Sequence, residues 1–312
     1  MFLEQGIKPT NNFGKYLLGS LIVFLASQIG SVPLVLVGVI NSIKTGKNVL
    51  KSDDILKSIE PNLSLFLVMQ LFVFASIALY FVIKYAHKQS IRSVTTSRKK
   101  VDFRRIFFSF SAWGIISVIS ILSAYFMTDS ELVLQFQPAR FAILFLMGII
   151  LIPIQTSTEE YIFRGYLMQG FAGLAHNRWF PLVMTSLIFG GMHVFNPEVT
   201  EMGYFVMVYY IGTGFFLGIL TLMDEGMELA LGFHAANNLI GALLVTSDSA
   251  VFQTYAVFKD TSIPTAGLET VVLPVFVFFP ILLFVFSKKY QWKNWKQKLT
   301  GKITELNSTS HD

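Results

Sequence analysis

Apolar positions along this chain fall in long blocks, not in the alternation of a half-buried strand or the narrow stripe of a soluble helix. Eight blocks stand out, at about residues 16–40, 63–83, 106–127, 140–163, 180–195, 204–223, 227–246 and 268–287. A helix needs roughly 20 mostly apolar residues to cross the hydrocarbon layer. Inside that layer only helices and closed barrels satisfy their own backbone. The pattern predicts an all-α, polytopic membrane bundle of about eight helices, one integral membrane domain over residues 1–312. Spans five to seven follow one another closely and are expected to pack together. Gly214 and Gly218 in the sixth block permit close helix approach, as do Gly190 and Gly191 in the fifth. The segments 41–62 and 247–267 read as a short external helix plus turn and as a longer external loop. Residues 101–108 alternate basic and aromatic side chains, which fits an interfacial stretch or the basic flank of the third span. The tail after Trp292 is polar and is expected to fray.

Composition strengthens this picture. The chain of 312 residues is 53% hydrophobic and 14% charged, with a mean hydropathy of +0.59; soluble domains carry about 25% charged residues. No cleavable signal is expected, since the first apolar run is long and lacks a small-residue cleavage site. The absence of cysteine excludes disulfides, thiol nucleophiles and Cys-type metal sites. The net charge of +5 does not point to a nucleic-acid partner, because the basic residues sit in loops and in the tail, residues 288–312. With both termini placed in the cytoplasm, 17 of the 24 Lys and Arg residues fall on the inner side, as the positive-inside rule asks.

Ionisable residues inside the blocks are the exceptions. On insertion scales each costs roughly 2.5–3.5 kcal/mol at mid-membrane, and each is by default a functional candidate. The fourth block carries Glu159, Glu160 and Arg164, the fifth His193, and the seventh His234 with Asn237 and Asn238; the sixth holds none before Asp224. Glu160 and Arg164 are four residues apart and can pair on one helix face. Glu159 lies about 100° round the helix, without a local partner in this reading. His234 and Asn238 share a face, Asn237 is offset and bonds or packs elsewhere, and Phe189 sits one turn before His193, where it can wall a cavity.

A Glu, two His and an Asn from three helices suit the hydrolysis of an amide within the membrane. Glu159 can act as general base on water. His193, His234 and Asn238 can orient that water, stabilise an oxyanion or hold a metal. Each feature alone has a plainer account: a structural ion pair for Glu160 and Arg164, packing for His193, an interhelical hydrogen bond for Asn238. His87, His176 and His311 lie in or beside loops and the tail and are read as structural. Convergence on three spans favours chemistry. Depth leaves a discrepancy. At ~1.5 Å per residue Glu159 lies about 28 Å along its span from Arg140, near the inner face, and His234 about 10 Å in from Met227. His193 lies about 20 Å in from Phe180, too deep for a shallow site unless its span is tilted or begins deeper.

Glu159-Glu160-x-x-x-Arg164, Phe189-x-x-x-His193 and His234-x-x-x-Asn238, in that order, resemble the CPBP family. These are intramembrane proteases related to the eukaryotic CAAX prenyl endopeptidase, called the Abi family in bacteria. The resemblance covers residues 159–238, within a core at 140–246. It implies an eight-helix protein in the bacterial cell membrane whose site opens to the cytoplasm. Glu159, His193, His234 and Asn238 would be catalytic, with Glu160, Arg164 and Phe189 in support. It leaves two mechanisms open, a metal-independent glutamate mechanism, which the unusual Asn favours, and zinc held by His193, His234, Asn238 and Glu159.

The implied partners are the lipid bilayer and a membrane peptide or protein substrate. The composition and the Lys/Arg-rich loops look bacterial, and bacteria lack prenylated C-termini. A peptide precursor, or immunity to a peptide bacteriocin, is therefore the expected setting. A non-catalytic scaffold or bacteriocin self-immunity protein on the same fold is the alternative. A proton-relay transporter is a third reading, disfavoured because no inverted repeat appears.

Overall fold

Helix starts and stops follow local chemistry. The computed structural model describes residues 1–8, 11–46, 52–127 and 131–303, apart from the side chains of 52–54. Helix α1 (Phe13–Thr45) is capped by Asn12, whose side chain accepts from the Lys15 N–H, and ends at the left-handed Gly46. A short α2 (Ser52–Lys57) follows, the helix expected in the 41–62 segment; residues 47–51 lie outside the described residues. α3 (Pro61–Phe81) begins with Pro at its first turn, as a residue without a needed N–H can. It runs on as a π turn, Val82–Ala86. After α4 (Ile91–Thr95), Asp102 caps α5 (Phe103–Tyr125), so residues 103–108 form the first turns of that helix.

The helix carrying the carboxylates departs most from expectation. α6 (Pro138–Glu160) continues through a π segment, Tyr161–Leu167, into α7 (Met168–Ala175). The expected span ended at 163, because charges at 159–164 looked like its edge. Glu160 and Arg164 are instead buried and paired within the protein, Glu159 lies partly exposed beside them, and the helix passes all three. It stops at His176, which adopts a left-handed conformation and bonds back to Ala172. α8 (Trp179–Gly191) then returns antiparallel. It is shorter than the predicted span 180–195. Gly190 and Gly191 are poor helix formers, and His193 lies past the helix end, in a turn before α9 (Pro197–Met202). α10 (Met207–Asp224) and α11 (Glu228–Leu244) complete the central bundle, and α12 (Phe279–Tyr290) and α13 (Trp295–Thr300) close the described chain.

Among the described residues, six helical stretches are long and apolar enough to cross a membrane: Phe13–Thr45, Pro61–Ala86, Phe103–Tyr125, Pro138–Ala175, Tyr204–Asp224 and Leu268–Tyr290. The other two predicted spans coincide with the shorter α8 and α11. The protein is a mostly helical, multi-pass membrane bundle. Rows of Leu, Ile, Val and Phe on α1 remain exposed, as side chains facing lipid would be. One departure from all-helical structure lies at the end of the bundle near residues 125–138. There β1 (Leu132–Leu134) pairs antiparallel with β3 (Phe258–Asp260), which pairs parallel with β2 (Val245–Ser247). Part of the segment expected to be a loop is thus held in a small sheet.

At the opposite end, ion pairs lock the helix ends together. Arg98 pairs with Asp224 (2.8 Å) and with Glu228 (3.0 Å), and Arg105 also pairs with Asp224. Arg178, in the α7–α8 turn, pairs with Glu4 (2.7 Å). The tail does not fray where it is described. Trp292 donates to Asp224, Ile303 is buried, and its N–H bonds the His176 carbonyl (2.9 Å). Residues 304–312, with His311, lie outside the described residues. Between these ends, α8 packs on α10 at the predicted small residues: a Cβ on Gly214 would stand 2.8 Å from the Ser186 carbonyl oxygen. Gly190 likewise lies against Ile211, whereas nothing stands within 4 Å of a Cβ on Gly191.

Candidate active site

The site forms where α6, α8, α10 and α11 meet. The α7–α8 turn at 176–178 resolves the depth discrepancy. Glu159 precedes it by 17 residues and His193 follows it by 15. At ~1.5 Å per residue the two arms of this hairpin differ by only about 3 Å. Glu159 and His193 therefore reach similar depth, because span five begins deeper than the apolar pattern indicated.

The two carboxylates have opposite surroundings. Glu160 is fully buried, and its Oε1 accepts from Arg164 Nη1 (3.0 Å), the predicted pair. The same oxygen accepts from His234 Nδ1 (2.8 Å), a bond that sequence spacing could not show. Arg164 is also fully buried; it donates to the Gly214 carbonyl (3.2 Å) and lies over the Phe189 ring (4.3 Å). Glu159 is partly exposed, at 16% of its side chain. Its Oε2 faces His234 Nε2 at 3.5 Å. Its Oε1 accepts from Gln155 Nε2 at 2.7 Å, which corrects the expectation that Glu159 lacks a local partner. Gln155 sits four residues earlier on the same face, so the i, i+4 rule that paired Glu160 with Arg164 would have found it. An uncharged amide in an apolar run did not stand out.

Hydrogen-bond chemistry places the Nδ1 protons of both imidazoles. A carboxylate accepts, so His234 carries a proton on the Nδ1 that meets Glu160, and its Nε2 faces Glu159. A carbonyl also only accepts, so His193, whose Nδ1 lies 2.8 Å from the Phe189 oxygen, carries its proton on Nδ1. Its Nε2 makes no hydrogen bond among the described residues. The His193 ring stacks on Tyr210 (4.3 Å between centroids) and packs against Phe189 (4.9 Å), whose ring also meets His234 (6.0 Å). Phe189 thus contacts both histidines. Tyr210 was missed because the sixth span was searched only for ionisable residues.

Asn238 reaches the site indirectly. Its Nδ2 donates to Gln155 Oε1 (3.0 Å), and its Oδ1 accepts from Asn237 Nδ2 (3.1 Å). Asn237 bonds neighbours on other helices, accepting from Trp113 Nε1 (3.1 Å) and from the Tyr209 hydroxyl (3.4 Å).

The zinc alternative would draw on His193, His234, Asn238 and Glu159. No group of three His, Asp or Glu side chains converges as metal donors among the described residues. Asn238 Oδ1 is already taken by Asn237. Structural zinc takes four ligands and catalytic zinc three plus water, so no step is routed through a metal.

Fold and site together define a class: a polytopic helical membrane protein with a Glu–His–His–Asn cluster built from α6, α11 and the turn that follows α8. Residues 138–240 match the family described as type II CAAX prenyl endopeptidase Rce1-like. The matched segment contains every site residue named from the sequence, in line with the CPBP resemblance. The chain is also similar to the uncharacterized protein YyaK of Bacillus subtilis (strain 168), 31% identical over 194 residues. That alignment covers 62% of this chain and 65% of YyaK, just under two thirds of the relative. No solved structure matches.

Proposed function

We propose that the chain is an intramembrane endopeptidase that hydrolyses a peptide bond of a membrane-associated peptide or protein by a metal-independent glutamate mechanism. The observation that carries this reading is Glu159, half-withdrawn from solvent between Gln155 and His234, with one oxygen turned to an imidazole. Glu159 Oε2 takes a proton from water as the water oxygen attacks the peptide carbonyl carbon. His193 Nε2 holds that water. The second amide hydrogen of Asn238 supports the oxyanion. The intermediate then collapses: the C–N bond breaks, and the proton on Glu159 passes to the leaving amine. Glu160 holds His234 facing Glu159, and Arg164 holds Glu160.

The core at 140–246 carries this chemistry, and the Rce1-like match supports it. The Lys/Arg-rich end, with both termini, faces the cytoplasm in the cell membrane, and the site opens on that side. The substrate is a membrane peptide such as a leader or bacteriocin-type precursor.

The test uses purified protein in liposomes and a panel of quenched-fluorescent transmembrane peptides. Wild type cuts at least one peptide, and Glu159→Ala lowers that rate at least about 100-fold. A chelator changes nothing. Full activity in Glu159→Ala, or no cleavage by wild type, returns the protein to the scaffold or immunity reading. Loss with chelator and recovery with Zn²⁺ would overturn the metal-independent mechanism.

A further inference from the structure

Behind Glu159 stands a line of four side chains with no slack in its polarity. Trp113 on α5, Asn237 and Asn238 on α11, and Gln155 on α6 are linked end to end by hydrogen bonds of 3.1, 3.1 and 3.0 Å, and Gln155 reaches Glu159 at 2.7 Å. An indole N–H can only donate. Asn237 must therefore present its oxygen to Trp113 and its amide nitrogen to Asn238. Asn238 must then present its oxygen to Asn237 and its nitrogen to Gln155. Gln155 in turn has only its nitrogen left for Glu159 Oε1. An amide flip at any of the three would put two donors or two acceptors face to face. Tyr209, which also donates to Asn237 Oδ1, reinforces the same direction.

We propose, resting on the protease reading, that Trp113, Asn237, Asn238 and Gln155 form a one-directional hydrogen-bond relay that fixes the Glu159 carboxyl and reserves Oε2 for proton transfer. Oε1 is occupied as an acceptor, so it cannot carry a proton towards Gln155. The exchangeable proton is confined to Oε2, on the His234 side. Gln155 is the positioning residue that delivers this effect. Trp113 sets its sign from about four side chains away, although it lies outside the Rce1-like segment. Bonds in such a chain polarise one another, so the last link depends on the first.

The test is a kinetic cycle with a peptide from the panel that wild type cuts. Gln155→Leu removes the final donor and lowers kcat by about 10- to 100-fold, the scale of a misplaced catalytic group, with KM within about twofold. Trp113→Phe lowers kcat less. The double variant is no slower than Gln155→Leu alone, because a relay cut at its end is insensitive to its start. If Phe at position 113 lowers the yield of folded protein, Asn237→Leu cuts the same line and replaces it in the cycle. Wild-type kcat in Gln155→Leu, or effects of the two changes that multiply, would overturn the relay while Glu159→Ala remained inactive. An active Glu159→Ala would instead remove the protease reading on which the relay rests.

Discussion

Adjacent in sequence, Glu159 and Glu160 should respond to the same substitution in opposite ways. Glu160→Gln leaves the Arg164 guanidinium buried without its counter-charge, and breaking a buried pair by removing one partner costs about 3–5 kcal/mol. Glu160→Gln should therefore lower the melting temperature in detergent markedly. Glu159→Gln keeps the side-chain shape at a partly exposed position and should leave melting nearly unchanged while abolishing cleavage. Equal melting of both variants would show that the Glu160–Arg164 pair does not hold the helix. The charged members of the site were legible in the sequence because a charge in an apolar block has few cheap explanations. Gln155 and Tyr210 were not, since neutral polar side chains in membrane helices are common and mark nothing by themselves.

At the scale of elements, the contact between α8 and α10 depends on side chains that are not there. A Cβ at Gly214 would stand 2.8 Å from a backbone oxygen of Ser186, and backbone cannot move aside as a flexible side chain can. Gly214→Leu should force the two helices apart, lowering the yield of monodisperse protein and its melting temperature. Gly191→Ala, in open space, should change neither. Gly214 also gives its carbonyl to Arg164, so the same spacing bears on the site. Gly214 was legible as a packing residue, whereas Gly191, read the same way from the sequence, faces open space. The length of the helix carrying Glu159 was not: its charges resemble a membrane edge until Glu160, Arg164 and His234 are seen to neutralise one another inside the bundle.

Across the whole molecule, a pH-sensitive contact ties α1, the end of α3 and the π segment together. His87 is buried beside Tyr16, and its Nε2 lies 2.9 Å from the Tyr166 hydroxyl, which itself donates to the Lys15 and Tyr16 carbonyls. Its Nδ1 is buried with no hydrogen-bond partner among the described residues. Burial, aided by the charge of Lys15, lowers the imidazole from an ordinary 6.5 to about 4. Between those values the unfolded chain binds more protons than the folded one. Stability from this group is therefore complete above about pH 6.5 and is lost as pH falls towards 4. Melting curves should show that decline, and His87→Gln should flatten it. An identical decline in the variant would assign it to other groups.

Sequence alone determined that this is a membrane helix bundle, and it named the charged and imidazole groups that meet. Apolar run length and the cost of a buried charge are local quantities, readable from the chain. Only the tertiary structure decided what each group touches: that His234 bridges both carboxylates, that His193 reaches the depth of Glu159 by a hairpin, and that Asn238 acts through Gln155. Hydrogen-bond direction passes from helix to helix and is set by an obligate donor 46 positions before Glu159, and no spacing within one helix encodes it.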